Sequence, residues 1–279
     1  MRATPAGGRT AIALTIAGSD SSGGAGIQAD LKTFSAFGVY GASVLTALTA
    51  QNTQGVTAVA PVAPSFIVAQ MDAVLADLDV AAVKTGMLAN AAIVDAVARR
   101  LRAAPRRPLV VDPVMVATSG DVLLAPDAVD AVKRELVPLA TLLTPNLPEA
   151  ARLLGASQAA SDAEAIDQAR ALLALGCGAV LLKGGHGGGA MAVDIFCDAA
   201  GIARFEQPRI DTPHTHGTGC TLSAAIAALL ALGVDLKEAV GRGKAFVWQA
   251  LQHGRELGIG HGSGPVDHLF AIRRTPPPA

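Results

Sequence analysis

The sequence has few cysteines, no block of one charge sign and no long apolar run. Its three cysteines form no C-x-x-C pair, which argues against a disulfide framework or a zinc cage. The formal net charge of −1 gives no support to nucleic acid as a partner. A membrane-spanning helix needs about 20 mostly apolar residues, and no such stretch occurs. We therefore expect a cytoplasmic protein with neither a membrane nor a nucleic-acid partner.

Several common enzyme motifs are missing as well. No G-x-x-x-x-G-K-[ST] occurs, so a P-loop enzyme is excluded at the level of motifs. No G-x-G-x-x-G follows the first predicted strand, which makes a Rossmann dehydrogenase a poor fit. No G-x-S-x-G occurs either, which disfavours the nucleophile elbow of the α/β-hydrolases.

What is present is a small-residue loop over residues 214–219 that leads into a helix-forming run over 220–232. Gly217 and Gly219 let a ligand approach the backbone, and a helix N-terminus offers unpaired N–H groups to an anion. A thiol at this place, that of Cys220, is expected to have a lowered pKa and to accept a proton from an attacking hydroxyl. A tight turn before a buried helix, with Cys220 as an apolar filler, also fits the loop taken alone.

Strands and helices alternate along the chain. We expect strands over residues 11–17, 40–50, 80–84, 109–111, 142–144 and 179–183, a hairpin over 190–208, and helices between them, one of them over 64–78 with Ser65 as a candidate cap. This alternation predicts an α/β fold with a central, mostly parallel sheet and helices on both faces. No linker is evident, so the prediction is one domain over residues 1–279, with loose ends at 1–10 and 273–279.

Polar residues follow the predicted strands, at the sheet edge where ligands bind in such folds. Lys183 is placed to contact a moving phosphate. Asp112 and Glu149 are candidates for holding Mg²⁺, directly or through water. Gln51 offers a donor and an acceptor side by side, which suits the edge of an aminopyrimidine better than a sugar.

The chain resembles the hydroxymethylpyrimidine/phosphomethylpyrimidine kinases, which are thiamine-pathway members of the ribokinase superfamily. The similarity rests on six motifs in the family's order, at residues 17–30, 50–53, 84–88, 144–150, 183–186 and 214–220. It covers about residues 11–270. The resemblance implies a ribokinase-like α/β fold, ATP and Mg²⁺ as cofactors, and two successive phosphorylations, first of the hydroxymethyl group and then of the monophosphate.

The resemblance also implies a role for individual residues. Around the pyrimidine, the residues implied are Gln51, Gly18, Ala25, Asp30, Met87 and Val114. Around ATP and Mg²⁺, they are Asn146, Glu149, Asp112, Lys183 and Thr218, and Gly217 and Gly219 form the anion hole. Cys220 stands where sugar kinases of the superfamily carry an aspartate base. A homodimer is implied because members of this family are often dimers.

Two departures from the family pattern and two rival functions remain. Ser21 replaces the usual proline, and residues 187–189 replace a longer polar insertion. A pyridoxal or pyridoxine kinase on the same fold is the nearest rival enzyme. A non-catalytic regulator that keeps the pocket is the rival of another class, although Lys183, Glu149 and Cys220 argue against it. Whether residues 114–124 close over the substrate is left open.

Overall fold

A computed structural model describes residues 10–116, 123–185 and 189–273 of the chain. Its strands are β1 (Ile12–Ala17), β2 (Tyr40–Leu45), β3 (Ala47–Asn52), β4 (Gly55–Pro61), β5 (Ala82–Thr85), β6 (Leu109–Val111), β7 (Leu142–Leu143), β8 (Ala179–Leu182), β9 (Met191–Asp198) and β10 (Gly201–Pro208). Its α-helices are α1 (Gly26–Ala36), α2 (Pro64–Asp77), α3 (Ala91–Ala103), α4 (Pro126–Ala131), α5 (Leu147–Leu154), α6 (Asp162–Leu173), α7 (Thr218–Ala231), α8 (Leu236–Gly254) and α9 (Phe270–Arg273).

The strands form an eight-stranded sheet in the order β10-β9-β8-β7-β6-β5-β1-β2. From β8 to β2 all neighbours run parallel, whereas β9 and β10 make an antiparallel edge. Within the part of the chain that the structure describes, the strands β3 and β4 pair only with each other, as a ribbon outside this sheet. The expected α/β fold with a mostly parallel sheet is confirmed.

Helices cover both faces of the sheet, because the buried side chains of its strands alternate between two apolar clusters. In β1, Leu14 and Ile16 belong to the cluster packed by α2 to α6, and Ala13 belongs to the one packed by α1, α7 and α8. A strand that is buried on both faces has apolar residues at nearly every position. For the same reason α7 is apolar on all sides, and every residue from Thr221 to Leu229 is buried.

The predicted strand over 40–50 is wrong at its centre. The chain breaks at Thr46, whose buried hydroxyl donates to the Met87 carbonyl oxygen at 2.6 Å. The chain then leaves the main sheet to form the ribbon. The strand β4 was not predicted, because most of its residues are exposed and show no apolar alternation. The ribbon matters for function because Gln51 lies on it.

Two helix details also differ from the sequence prediction. Ser65 does not cap α2; Ala63 occupies the cap position and Pro64 starts the helix, where a missing N–H does no harm. The chain between β6 and β7 does not form one continuous helix, because α4 is followed by a π-helical turn, Val132–Leu136, and a short 3₁₀ turn, Val137–Leu139. Neither difference moves a candidate site residue.

Parts of several sequence predictions lie outside the described residues. These are most of the loose ends expected at 1–10 and 273–279, residues 117–122 of the segment 114–124, and residues 186–188 of the motif after Lys183. Among the helices that the structure does describe, none is long and apolar enough to cross a membrane.

Candidate active site

Lys183 lies directly after β8, at the carboxyl edge of the sheet, beside two carboxylates. Its Nζ is 2.8 Å from Asp112 Oδ1 and 4.0 Å from Glu149 Oε2. Asp112 also accepts hydrogen bonds from Thr144 Oγ1 at 3.2 Å and Ser223 Oγ at 3.1 Å. Burial favours the neutral carboxyl of Asp112, but the charges of Lys183 and Lys84 and the hydrogen bonds to the carboxylate together outweigh it and hold the pKa below its usual range. The three predicted groups therefore meet at one point.

Glu149 and Asn146 form a reciprocal cap at the start of α5. The Glu149 N–H donates to Asn146 Oδ1 at 2.8 Å, and the Asn146 N–H donates to Glu149 Oε2 at 2.7 Å. Burial raises the pKa of Glu149 to about 7, although Lys183 acts in the opposite direction. The pair thus has a structural function that was not predicted, and Glu149 carries a proton readily exchanged near neutral pH.

The loop before α7 is held against the first loop of the chain by close backbone contact. Gly217 has φ = 78°, and a Cβ there would lie 1.9 Å from the Gly24 carbonyl oxygen. Gly219 lies inside the first turn of α7, and a Cβ on it would lie 3.2 Å from Lys183 Nζ. Among the described residues, no side chain caps this helix N-terminus. The N-terminus of α7 and the Lys183 ammonium therefore border the same space, with a glycine between them.

Cys220 is the third residue of α7, and its predicted thiol chemistry is wrong in one respect. We expected the helix N-terminus to lower its pKa. Instead, burial raises the pKa of the Cys220 thiol to about 11, although the Lys84 ammonium and the Gly26 N–H act in the opposite direction. The loss of hydration at the sulfur outweighs these two favourable interactions. Cys220 is consequently a neutral thiol in the free protein at pH 7.

Asp30 does not face a cavity, which corrects its expected position in the lining of the pyrimidine pocket. Its carboxylate is fully buried and accepts two hydrogen bonds from Lys84 Nζ, at 2.7 and 2.9 Å. A third comes from Thr15 Oγ1 at 2.6 Å. Lys84 was part of a motif but had no predicted role. A lysine within an otherwise apolar strand was the signal, because a buried ammonium needs a counter-ion.

Asp20 and His216 join the first loop to the loop before α7. His216 Nε2 lies 2.7 Å from Asp20 Oδ2, and Asp20 also accepts from the N–H groups of Ser22, Gly24 and Ala25. Burial opposes the charged form, but His216 and these donors hold the pKa of Asp20 below its usual range. With Asp20 ionised, His216 Nε2 carries the donated proton. His216 had no predicted role.

Gln51 borders a cleft of about 400 Å³ with His216 and the turn of the ribbon. Gln51 Nε2 is 3.5 Å from His216 Nε2, and since that nitrogen donates to Asp20, it offers the amide no acceptor. Gln51 Oε1 lies 3.1 Å from Thr49 Oγ1, whose proton is also shared with the Ser19 carbonyl oxygen at 2.8 Å. The amide of Gln51 thus keeps hydrogen-bonding capacity for a ligand in the cleft.

The remaining predicted residues surround these groups. A Cβ on Gly18 would lie 3.1 Å from Met87 Sδ, so these two residues are neighbours. Ala25 occupies the cap position of α1 and lies against Gly217. Val114 follows Asp112, to whose carbonyl oxygen its N–H donates at 2.8 Å. The Thr218 hydroxyl donates to the Thr215 carbonyl oxygen at 2.7 Å.

The family model described as phosphomethylpyrimidine kinase matches residues 20–267 of this chain. A hydroxymethylpyrimidine/phosphomethylpyrimidine kinase of Rhizobium meliloti is 59% identical over 260 residues, which are 93% of this chain and 97% of that protein. The protein of the same name from Escherichia coli is 52% identical, over 93% of this chain and 97% of its own length.

Solved structures give the same picture of the fold. An ADP complex of Bacillus subtilis pyridoxal kinase superposes with a TM-score of 0.87 at 38% identity, covering 96% of this chain and all of that one. A phosphomethylpyrimidine kinase of Clostridium difficile gives a TM-score of 0.76 at 44% identity, covering 86% of this chain and 98% of its own.

Proposed function

We infer the function of this chain from the premise that it belongs to the phosphomethylpyrimidine kinase family. It is an ATP-dependent kinase of thiamine biosynthesis, which phosphorylates hydroxymethylpyrimidine to the monophosphate and then to the diphosphate. What remains to be proposed is which residues perform each part of this work.

One observation supports the assignment of the phosphoryl-transfer site more than any other. The Lys183 ammonium and the uncapped N-terminus of α7 border one space across Gly219, where a Cβ would be 3.2 Å from Lys183 Nζ. Phosphoryl transfer requires that charge on the transferring group be neutralised and that the reactants be held in line. Lys183 supplies a fixed positive charge there, and Gly217 and Gly219 leave the backbone N–H groups accessible. Asn146 and Thr218 are assigned to the binding of ATP.

The pyrimidine is bound in the cleft beside Gln51, whose amide matches a ring nitrogen next to an exocyclic amine. The family resemblance adds Gly18, Ala25, Met87 and Val114 as further candidates for contact with the ring. Asp30 acts indirectly, by holding Lys84 in place.

The hydroxymethyl oxygen attacks the γ-phosphorus of ATP, the bond to the ADP oxygen breaks, and the hydroxyl proton passes to the Cys220 sulfur. Only the thiolate of Cys220 accepts that proton. Since burial raises the pKa of the Cys220 thiol to about 11, the reactive form is a minor one at pH 7. A loose transition state demands little base strength early in the reaction, which is why a scarce thiolate suffices.

Asp112 and Glu149 fit Mg²⁺ through intervening water molecules. Both carboxylates are buried and already accept protein hydrogen bonds, so direct ligation would require them to release those donors. Mg²⁺ retains several waters in sites of this kind, and when bound it neutralises phosphate charge. The substitution Glu149→Gln is expected to raise the Mg²⁺ concentration needed for half-maximal rate. An unmoved Mg²⁺ titration curve would restrict Glu149 to capping α5.

The experiment that tests the function uses the purified chain with ATP, Mg²⁺ and hydroxymethylpyrimidine. Mass spectrometry is expected to detect the monophosphate first and the diphosphate later. Absence of both products contradicts the proposal. The similarity to pyridoxal kinase structures makes pyridoxal the second substrate to try, and a competition of both compounds compares their kcat/KM values directly.

A homodimer and a cytoplasmic location remain proposals. The dimer is supported by exposed apolar side chains on and beside the ribbon, namely Leu48, Val59 and Phe66. Light scattering of the purified protein is expected to give twice the mass of the chain, and a monomer mass contradicts the dimer.

A further inference from the structure

Lys244 lies on α8, on the face of the sheet that α1 and α7 also cover, and is nearly buried in an ion pair with no role so far. Its Nζ is 2.7 Å from Asp194 Oδ2 on β9. The second carboxylate oxygen, Asp194 Oδ1, accepts the Gly184 N–H at 2.9 Å. A buried carboxylate needs a partner, so Lys244 holds the Asp194 carboxylate in place for Gly184.

Gly184 is the residue that follows Lys183, and its backbone is pressed against β9. A Cβ there would lie only 1.9 Å from the Val193 carbonyl oxygen, so only glycine allows this approach. On its other side, Lys183 donates its own N–H to the Pro145 carbonyl oxygen at 2.8 Å. The peptide that carries the Lys183 side chain is therefore held at two consecutive N–H groups, by Pro145 and by Asp194.

We propose that Lys244 is a positioning residue for Lys183, acting through the Asp194 carboxylate and the Gly184 backbone. This inference rests on the proposed function, since it takes Lys183 as the group that meets the phosphates. Lys244 touches neither substrate. It keeps the end of β8 in the register that aims the Lys183 ammonium at Asp112 and at the start of α7, and small displacements of such a group have large effects on rate.

Hydrogen exchange at the Gly184 amide tests the first link without any substrate. In the substitution Lys244→Met, we expect the Gly184 amide to exchange at least about tenfold faster, because its acceptor, Asp194, loses the ammonium group that holds it in place. The matched control is Val247→Ala, which removes buried volume from the same helix and leaves both charged groups of the pair in place. It should lower the Tm and leave Gly184 exchange close to that of the wild type. Equal exchange in the two variants overturns the proposal.

The second link is tested by kinetics. Lys244→Met should lower kcat about tenfold while the Kd of the pyrimidine changes by less than about twofold, since neither Lys244 nor Asp194 lines the Gln51 cleft. Lys244→Arg, which keeps the charge, should recover most of the lost rate. In a chain that already carries Lys183→Met, Lys244→Met should cause no further loss of kcat, because its effect passes through Lys183.

Two results contradict the positioning role. One is a loss of kcat in Lys244→Met that merely follows its loss of Tm, as in Val247→Ala. The other is a full additional loss in the Lys183→Met background. Should Lys244→Met not fold, Lys244→Gln carries the same comparison. Failure of the proposed function has a different signature, because the wild type then forms no phosphorylated pyrimidine whatever the Gly184 amide does.

Discussion

Two lysine–aspartate pairs interact electrostatically with the Cys220 thiol, yet they differ in exposure. Lys84 and Asp30 have fully buried side chains, whereas Lys183, paired with Asp112, keeps 13% of its side-chain surface exposed. Both lysines influence Cys220. The difference teaches that ion-pair chemistry alone does not identify a catalytic lysine. The fully buried pair of Lys84 and Asp30 (the sealed pair) can stabilise the fold. Only the partly exposed pair of Lys183 and Asp112 (the open pair) can contact a phosphate.

Breaking the sealed pair is expected to give the largest effect, which is a loss of stability. Breaking a buried ion pair by removing one partner typically costs about 3–5 kcal/mol, so Lys84→Met should lower the free energy of unfolding by that amount. Urea denaturation measures it. Adding Asp30→Asn removes the stranded charge while keeping an acceptor for Thr15, and should recover much of the loss. If the free energy of unfolding of Lys84→Met is close to that of the wild type, the ion pair of Lys84 does not stabilise the fold.

The open pair is expected to affect rate instead. Lys183→Met should lower kcat about 10²–10³-fold, the range seen when one donor to a transition-state anion is lost. Steady-state kinetics at saturating ATP and pyrimidine measure it. The Kd of the pyrimidine serves as the control and should change little, because Gln51 borders a different part of the site. A kcat close to that of the wild type removes Lys183 from the phosphate site.

Cys220 interacts electrostatically with both pairs, and its role can be tested through the pH dependence of kcat. Its thiol pKa of about 11 lies above the assay range, so kcat should rise with pH, approaching about tenfold per unit where proton acceptance limits the rate. In Cys220→Ala, kcat should fall about 10²-fold at pH 7, the low end for a general base, and lose this slope. A flat profile in the wild type, with an active alanine variant, makes Cys220 a packing residue.

The smallest effect is expected at Gln51, which belongs to neither ion pair and is proposed to bind the pyrimidine. Gln51→Leu leaves the polar edge of the bound pyrimidine unpaired and should weaken binding by about 1–3 kcal/mol. Calorimetry measures this, with ADP affinity as the control that should not change. An unaltered pyrimidine affinity would mean that the ring binds elsewhere in the cleft.

The order of strands and helices could be predicted because buried parallel strands have continuous apolar runs. The meeting of Asp112, Glu149 and Lys183 could be predicted because the carboxyl ends of such strands share one edge. The ribbon could not, since β4 is exposed and has no apolar period. The extent of the domain remains a prediction.

Burial was the property that sequence reasoning missed most often. The family resemblance placed Asp30 in the pyrimidine pocket, and the helix N-terminus was expected to lower the pKa of the Cys220 thiol. In the structure, the Asp30 carboxylate is fully buried in an ion pair with Lys84, and burial raises the pKa of the Cys220 thiol. His216 was passed over because its partner, Asp20, is distant in sequence. Contacts of this kind are set by tertiary packing, which a single sequence does not display.

The central claim, that exposure separates the catalytic pair from the structural one, is tested most directly by measuring two quantities on two variants. Lys183→Met and Lys84→Met are each examined for kcat per folded molecule and for the free energy of unfolding. The account predicts a large loss of kcat with little loss of stability in Lys183→Met, and the larger loss of stability in Lys84→Met. The reverse pattern, or equal losses of both quantities in both variants, would contradict it.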